Sequence, residues 1–106
     1  MNGIVSDFES KSRLFLNYLK YERSLSENTI NSYYHDLKIF QNFIKKNYNR
    51  IQFNEIDENI LVRFFSYFRI SNNSTGKQYS DRSIARLIST LKSFFKYLII
   101  HQLTVF

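Results

Sequence analysis

The sequence predicts an all-α fold, a bundle of four short amphipathic helices, and three observations carry that expectation. The chain has no proline and only two glycines, Gly3 and Gly76, so little interrupts its periodic stretches. Apolar residues recur at steps of three and four over four separate segments. Three of those segments also begin with the same capping pattern.

The first segment runs from about Asp7 to Glu22, with Phe8, Phe15, Leu16 and Leu19 on one side. The second runs from about Glu27 to Asn47 and carries Ile30, Tyr33, Leu37, Phe40 and Ile44. A third, from about Glu58 to Ile70, is built on Leu61, Phe64, Phe65 and Phe68. The fourth spans about Asp81 to His101. Its Ile84, Leu87, Ile88, Leu91, Phe94, Phe95 and Leu98 fit the helical template without a gap.

Helix starts are marked by an apolar residue, a side-chain oxygen able to cap free N–H groups, and a second apolar residue four positions on. Leu25-Ser26 is followed by Ile30, Ile56-Asp57 by Leu61, and Tyr79-Ser80 by Ile84. Ser24-x-x-Glu27 offers a competing capping box, but the hydrophobic staple favours Ser26. "NYNRIQFNE" and "SNNSTGKQY" form the longer connections, and the second, polar and glycine-containing, is expected to be the most mobile. With 106 residues the chain suits one domain, 1–106.

Composition narrows the function classes. Hydrophobic content of 43% and aromatic content of 18% supply a core, so disorder is not expected. The chain has no cysteine, which removes disulfide and thiolate-metal chemistry and favours a cytoplasmic location. "MNGIVSDFESK" lacks the basic start and apolar run of a signal peptide, and no stretch is long and apolar enough to span a bilayer. The net charge of +6, with a pI near 9.7, points to an anionic partner, nucleic acid first.

The charge is unevenly placed. In the fourth segment Arg82, Arg86, Ser89, Ser93 and Lys96 form a polar stripe away from the apolar face, flanked by Thr90 and Lys92. Cations neutralise phosphates while hydroxyls bond phosphate oxygens or base edges, so this mixture suits a nucleic-acid groove. The second segment opens with Asn28, Thr29, Asn31, Ser32 and His35, short hydrogen-bonding side chains of little charge. The first segment mixes charges as a solvated face does, and the third is charge-neutral and phenylalanine-rich, which suits core.

Catalysis finds little support. Glu55, Asp57 and Glu58 cluster where a helix begins, the place where carboxylates favour the helix dipole. His35 and His101 have no His or Cys at metal-ligand spacing, and no nucleotide or nucleophile-elbow fingerprint occurs. Tyr33 shares the apolar face, Tyr34 borders it, and neither has a neighbouring base or cationic cage to activate it. The residues therefore predict a non-catalytic domain without cofactor, metal or small-molecule substrate.

Two stretches resemble the tyrosine recombinase (phage integrase) family. "FLNYLKYERSLSENTINSYYHDLKIFQNFI" is similar to that family's opening, a short helix followed by Ser-x-x-Thr-x-x-x-Tyr-x-x-Asp-Leu, here Ser26, Thr29, Tyr33, Asp36 and Leu37. "SDRSIARLISTLKSFFKYLI" is similar to the last helix of its N-terminal domain, with Arg86, Leu91 and Phe94-Phe95 in register. The resemblance covers about Phe15 to His101. It implies a SAM-like core-binding domain that forms half of a clamp on double-stranded DNA, its second and fourth helices toward the major groove. Asn28, Thr29 and Ser32 would then face DNA from one helix, and Arg86, Ser89, Lys92 and Ser93 from the other. Asn31, Arg82 and Lys96 extend that face on the surface argument alone. Lys92 stands where the family more often has Arg.

The resemblance further implies other recombinase protomers as partners and a strand-exchange site, with its nucleophilic tyrosine, in a following catalytic domain absent from this chain. Members usually continue into an Asn-Pro linker, so the apolar ending Val105-Phe106 is expected to mark an excised domain. The competing function is a helical protein-interaction module whose basic surface serves solubility. An autonomous helix-turn-helix regulator would need a short turn joining a tight helix pair, and the sequence offers none.

Overall fold

The computed structural model describes residues 3–74, 76, 78–101 and 103. The expectations for the chain's apolar ending at Val105-Phe106, and for Thr75 and Lys77 of the glycine-containing connection, lie outside the described residues. Four helices follow one another, α1 (Gly3–Tyr21), α2 (Glu27–Asn47), α3 (Glu58–Ser74) and α4 (Asp81–Ile100), with a 3-10 turn at Phe53–Glu55 before α3. No strand occurs among the described residues.

The caps lie where the apolar pattern predicts them. The Thr29 backbone N–H donates to Ser26 Oγ at 3.2 Å, that of Ile60 to Asp57 Oδ1 at 3.0 Å, and that of Ser83 to Ser80 Oγ at 3.1 Å. Ser24 has another task. It adopts φ 53, the left-handed conformation that ends α1, while the Leu25 N–H reaches back to the Leu19 carbonyl at 3.1 Å. A side chain there is strained, and glycine is the residue this position favours. Ser24→Gly is therefore expected to stabilise the fold by about 0.5–1 kcal/mol, read as a higher urea midpoint at unchanged slope.

Two boundaries differ from the sequence reading. Helix α1 starts a turn earlier than Asp7, because Ile4 joins the core at 3% exposure. Helix α3 runs past Ile70 into the polar segment expected to be loop. Its buried Asn72 explains the extension: the side-chain oxygen accepts from the Tyr79 N–H at 2.7 Å, and the amide donates to the Tyr79 carbonyl at 3.0 Å. One amide thus pairs both backbone groups of the residue preceding the α4 cap.

The core is a network of phenylalanine rings. Phe8 of α1 lies 5.7 Å from Phe40, 5.8 Å from Phe53 and 5.4 Å from Phe94, joining α1 to α2, the 3-10 turn and α4. Phe64 brings in α3, edge-on to Phe40 at 5.0 Å and to Phe43 at 5.2 Å. Such tilted and edge-on pairs add to the burial of large apolar area and fix the packing of the helices.

Candidate nucleic-acid interface

Helices α2 and α4 are joined at a buried ion pair. Asp36, only 1% exposed, sits on the inner side of α2. Arg86 of α4 donates to it through Nε at 2.9 Å and through Nη2 at 2.8 Å, and Thr90 Oγ1 donates at 2.8 Å. Three donors thus satisfy a carboxylate that would be costly to bury alone. The same hydrogen bonds raise the Arg86 guanidinium above its ordinary pKa. The two stretches that carry the family resemblance therefore touch, one supplying the carboxylate and the other the fork.

This contact changes the standing of two residues in the polar stripe. Arg86 is half-buried, its side chain 37% exposed, and its fork is occupied. Thr90, expected to flank the exposed stripe, is fully buried. The sequence held a signal for both. Asp36 falls within the apolar rhythm of Tyr33, Leu37 and Phe40, and a charge on that side needs a partner from another helix.

The other stripe residues reach solvent. Arg82, Ser89, Lys92, Ser93 and Lys96 are all exposed. At 100° per residue, Arg82, Arg86, Ser89, Ser93 and Lys96 fall within an arc of about 80°, with Lys92 a further 40° or so round. On α2, Asn28 and Ser32 lie two turns and one turn before Asp36 on the same side of the helix. Asn28 and Asn31 are exposed, whereas Thr29 and Ser32 are half-buried. Their hydroxyls have local partners: Ser26 Oγ lies 2.9 Å from Thr29 Oγ1, and Ser32 Oγ donates to the Asn28 carbonyl at 3.1 Å. The structure brings the candidate residues onto two arcs that start from one ion pair.

At one end of these arcs a cleft of about 430 Å³ opens between the end of α1, the start of α2 and the end of α4. Arg23, Tyr33, Ser93, Lys96 and His101 are among its lining residues. Arg23 and His101 were not among the residues read as an interface from the sequence: the fold brings Arg23 to the cleft from the α1–α2 bend, and His101 closes α4 beyond the polar stripe. The acidic cluster before α3 is occupied locally: Glu55 Oε1 accepts from the Gln52 N–H at 2.7 Å while Asp57 caps α3. Among the described residues no group of His and carboxylate side chains could hold a metal, and no helix is long and apolar enough to cross a membrane.

Comparison with known proteins agrees with the two motifs. Residues 13–102 match the family described as phage integrase, N-terminal SAM-like domain. Among similar curated proteins, tyrosine recombinase XerD of Listeria monocytogenes is 36% identical over 92% of this chain and 29% of its own length. Tyrosine recombinase XerC of Natranaerobius thermophilus is 32% identical over 79% of this chain and 26% of its own. XerC of Herpetosiphon aurantiacus is 37% identical over 79% of this chain and 25% of its own. No solved structure matches significantly. The chain thus spans between a quarter and a third of the length of these relatives, and the catalytic domain of such recombinases lies outside these 106 residues. With its helices, its capped starts and its two touching motifs, the chain belongs to the phage-integrase N-terminal SAM-like family, the domain found in tyrosine recombinases.

Proposed function

We propose that this chain is the DNA-binding N-terminal domain of a site-specific tyrosine recombinase, and that it holds double-stranded DNA against the outer faces of α2 and α4. One observation carries the reading. After the fold has used Arg86 and Thr90 to neutralise Asp36, α4 still offers Arg82, Lys92 and Lys96 to solvent, interleaved with Ser89 and Ser93. Cations set among hydroxyls match the phosphate and base-edge chemistry of a groove. Asn28 and Asn31 at the start of α2 add side chains able to pair with adenine edges. A part in DNA recombination belongs to the same proposal on the strength of the relatives' names, and integration, contact with other recombinase protomers and a cytoplasmic location join it as what the family resemblance implies.

The test is a fluorescence-anisotropy titration of the 106-residue chain with a 30-base-pair duplex across a salt series. Three exposed cations on α4 imply that log K falls against log salt with a slope of at least about −2.7, at roughly −0.9 per phosphate neutralised. Absence of binding at low salt would sink the proposal.

A second reading, a helical protein-interaction module, draws on a different surface. Val62 and Ile70 are 56% and 69% exposed, and with Phe65 and Ile88 they line an open groove between α3 and α4. Salt-insensitive binding to a partner protein, without binding to DNA, would favour it.

A further inference from the structure

We propose that the cleft between the end of α1, the start of α2 and the end of α4 seats a phosphodiester of the DNA backbone, gripped by Arg23 and Lys96. This rests on the DNA-binding reading and deepens it, because it adds Arg23, outside the faces of α2 and α4, to the α4 residues Ser93 and Lys96.

Three features converge. First, cationic side chains from separate parts of the chain line it, Arg23 from the α1–α2 bend and Lys96 from α4. Among the described residues neither Arg23 nor Lys96 forms an ion pair, in contrast to Arg86, so their charge is available to a ligand. Glu22, next to Arg23, is the acid nearest in sequence, and it helps burial raise the Tyr97 hydroxyl above its usual pKa.

Second, the lining combines apolar side chains on which a sugar can pack, Leu25 and Ile100 among them, with hydroxyls for a phosphate. Ser93 and Tyr33 add hydroxyls able to donate to phosphate oxygens. Tyr18, Tyr97 and His101 form a contiguous ring cluster, with Tyr97 4.9 Å from Tyr18 and 4.4 Å from His101. That cluster gives the cleft a firm wall, and the Tyr97 hydroxyl lies 3.4 Å from the Leu14 carbonyl.

Third, the bend that carries Arg23 is fixed on both sides. The Arg23 N–H donates to the Tyr18 carbonyl at 3.2 Å, and left-handed Ser24 turns the chain toward the Ser26 cap. These hydrogen bonds hold the backbone of the bend, and so the base of the Arg23 side chain, beside the cleft. Ser93 and Lys96 belong both to this cleft and to the α4 stripe, so one backbone can run across the two.

The test compares wild type with Arg23→Gln and Lys96→Gln, both exposed positions, in anisotropy titrations with two 30-base-pair duplexes of unrelated sequence. Each variant is expected to bind about tenfold more weakly at 50 mM salt, equally for both sequences, with the salt slope reduced by about 0.9. A wild-type slope in Arg23→Gln would overturn the cleft proposal while leaving the DNA-binding reading intact, whereas a wild-type slope in Lys96→Gln would count against both, because Lys96 also belongs to the α4 stripe. Failure of the wild type to bind either duplex would overturn both. A second arm titrates inorganic phosphate at constant ionic strength and follows backbone amide shifts. Shifts at Arg23, Ser24 and Ser93, together with the weakened duplex binding, support a backbone phosphate. The same shifts with duplex binding unchanged would make this a free-anion site and overturn the proposal.

Discussion

Arg86→Ala is expected to destabilise the domain by roughly 3 kcal/mol, before any effect on DNA can be read. The substitution removes two of the three donors to Asp36 and leaves a carboxylate that is 1% exposed with Thr90 as its remaining side-chain partner. Stranding one member of a buried pair typically costs about 3–5 kcal/mol, and the 37% exposure of the Arg86 side chain puts this case at the lower end. Urea unfolding followed by circular dichroism would measure the loss, and a change below 1 kcal/mol would show that Asp36 does not need its fork. The companion variant Asp36→Leu/Arg86→Met removes both charges and is expected to recover most of the lost stability, since apolar replacement of a buried pair is often near neutral. If that variant binds duplex within a few-fold of wild type, Arg86 acts by positioning α4 against α2. A far larger loss would make Arg86 a direct contact as well.

What the sequence made legible follows from the range of each interaction. The caps at Ser26, Asp57 and Ser80 link residues three apart, so their chemistry is written locally and the helix starts could be read to the residue. The apolar rhythm of α4 likewise pointed to Leu91, Phe94 and Leu98, which are fully buried. Interactions between distant residues were not legible in this way. Asn72 extends α3 because of a partner seven residues away across the bend, and a polar "SNNS" run read alone suggests a loop. Arg86 looked like any other cation of the stripe, because its partner lies fifty positions earlier. Helical phase alone could not separate it from Arg82. The off-pattern charge at Asp36 could have done so, as the one acid on an apolar face. Arg23 was passed over because its segment mixes charges, and only the fold brings it to Lys96.

Arg82→Gln/Lys92→Gln is expected to weaken duplex binding by on the order of a hundredfold at 50 mM salt while leaving the fold intact. Both residues are exposed on α4, and neither bonds Asp36 nor lines the cleft that Arg23 shares with Lys96. Their removal should change stability by no more than about 0.5 kcal/mol, so a binding loss cannot be put down to unfolding. The salt slope should become shallower by about 1.8, at roughly 0.9 per lost phosphate contact. The loss should also shrink as salt rises, because counterion release contributes less there. Glutamine keeps a hydrogen-bonding group at each site, so the experiment reads charge more than shape. Lys92→Arg is the informative contrast: if Lys92 meets a phosphate as a point charge, Arg preserves the slope. If the position reads a guanine edge, Arg instead gains a bidentate contact of about 1–3 kcal/mol and makes binding sequence-dependent. A double variant with wild-type affinity and slope would remove Arg82 and Lys92 from the interface and leave the cleft end of α4, with Lys96, as the surface to pursue.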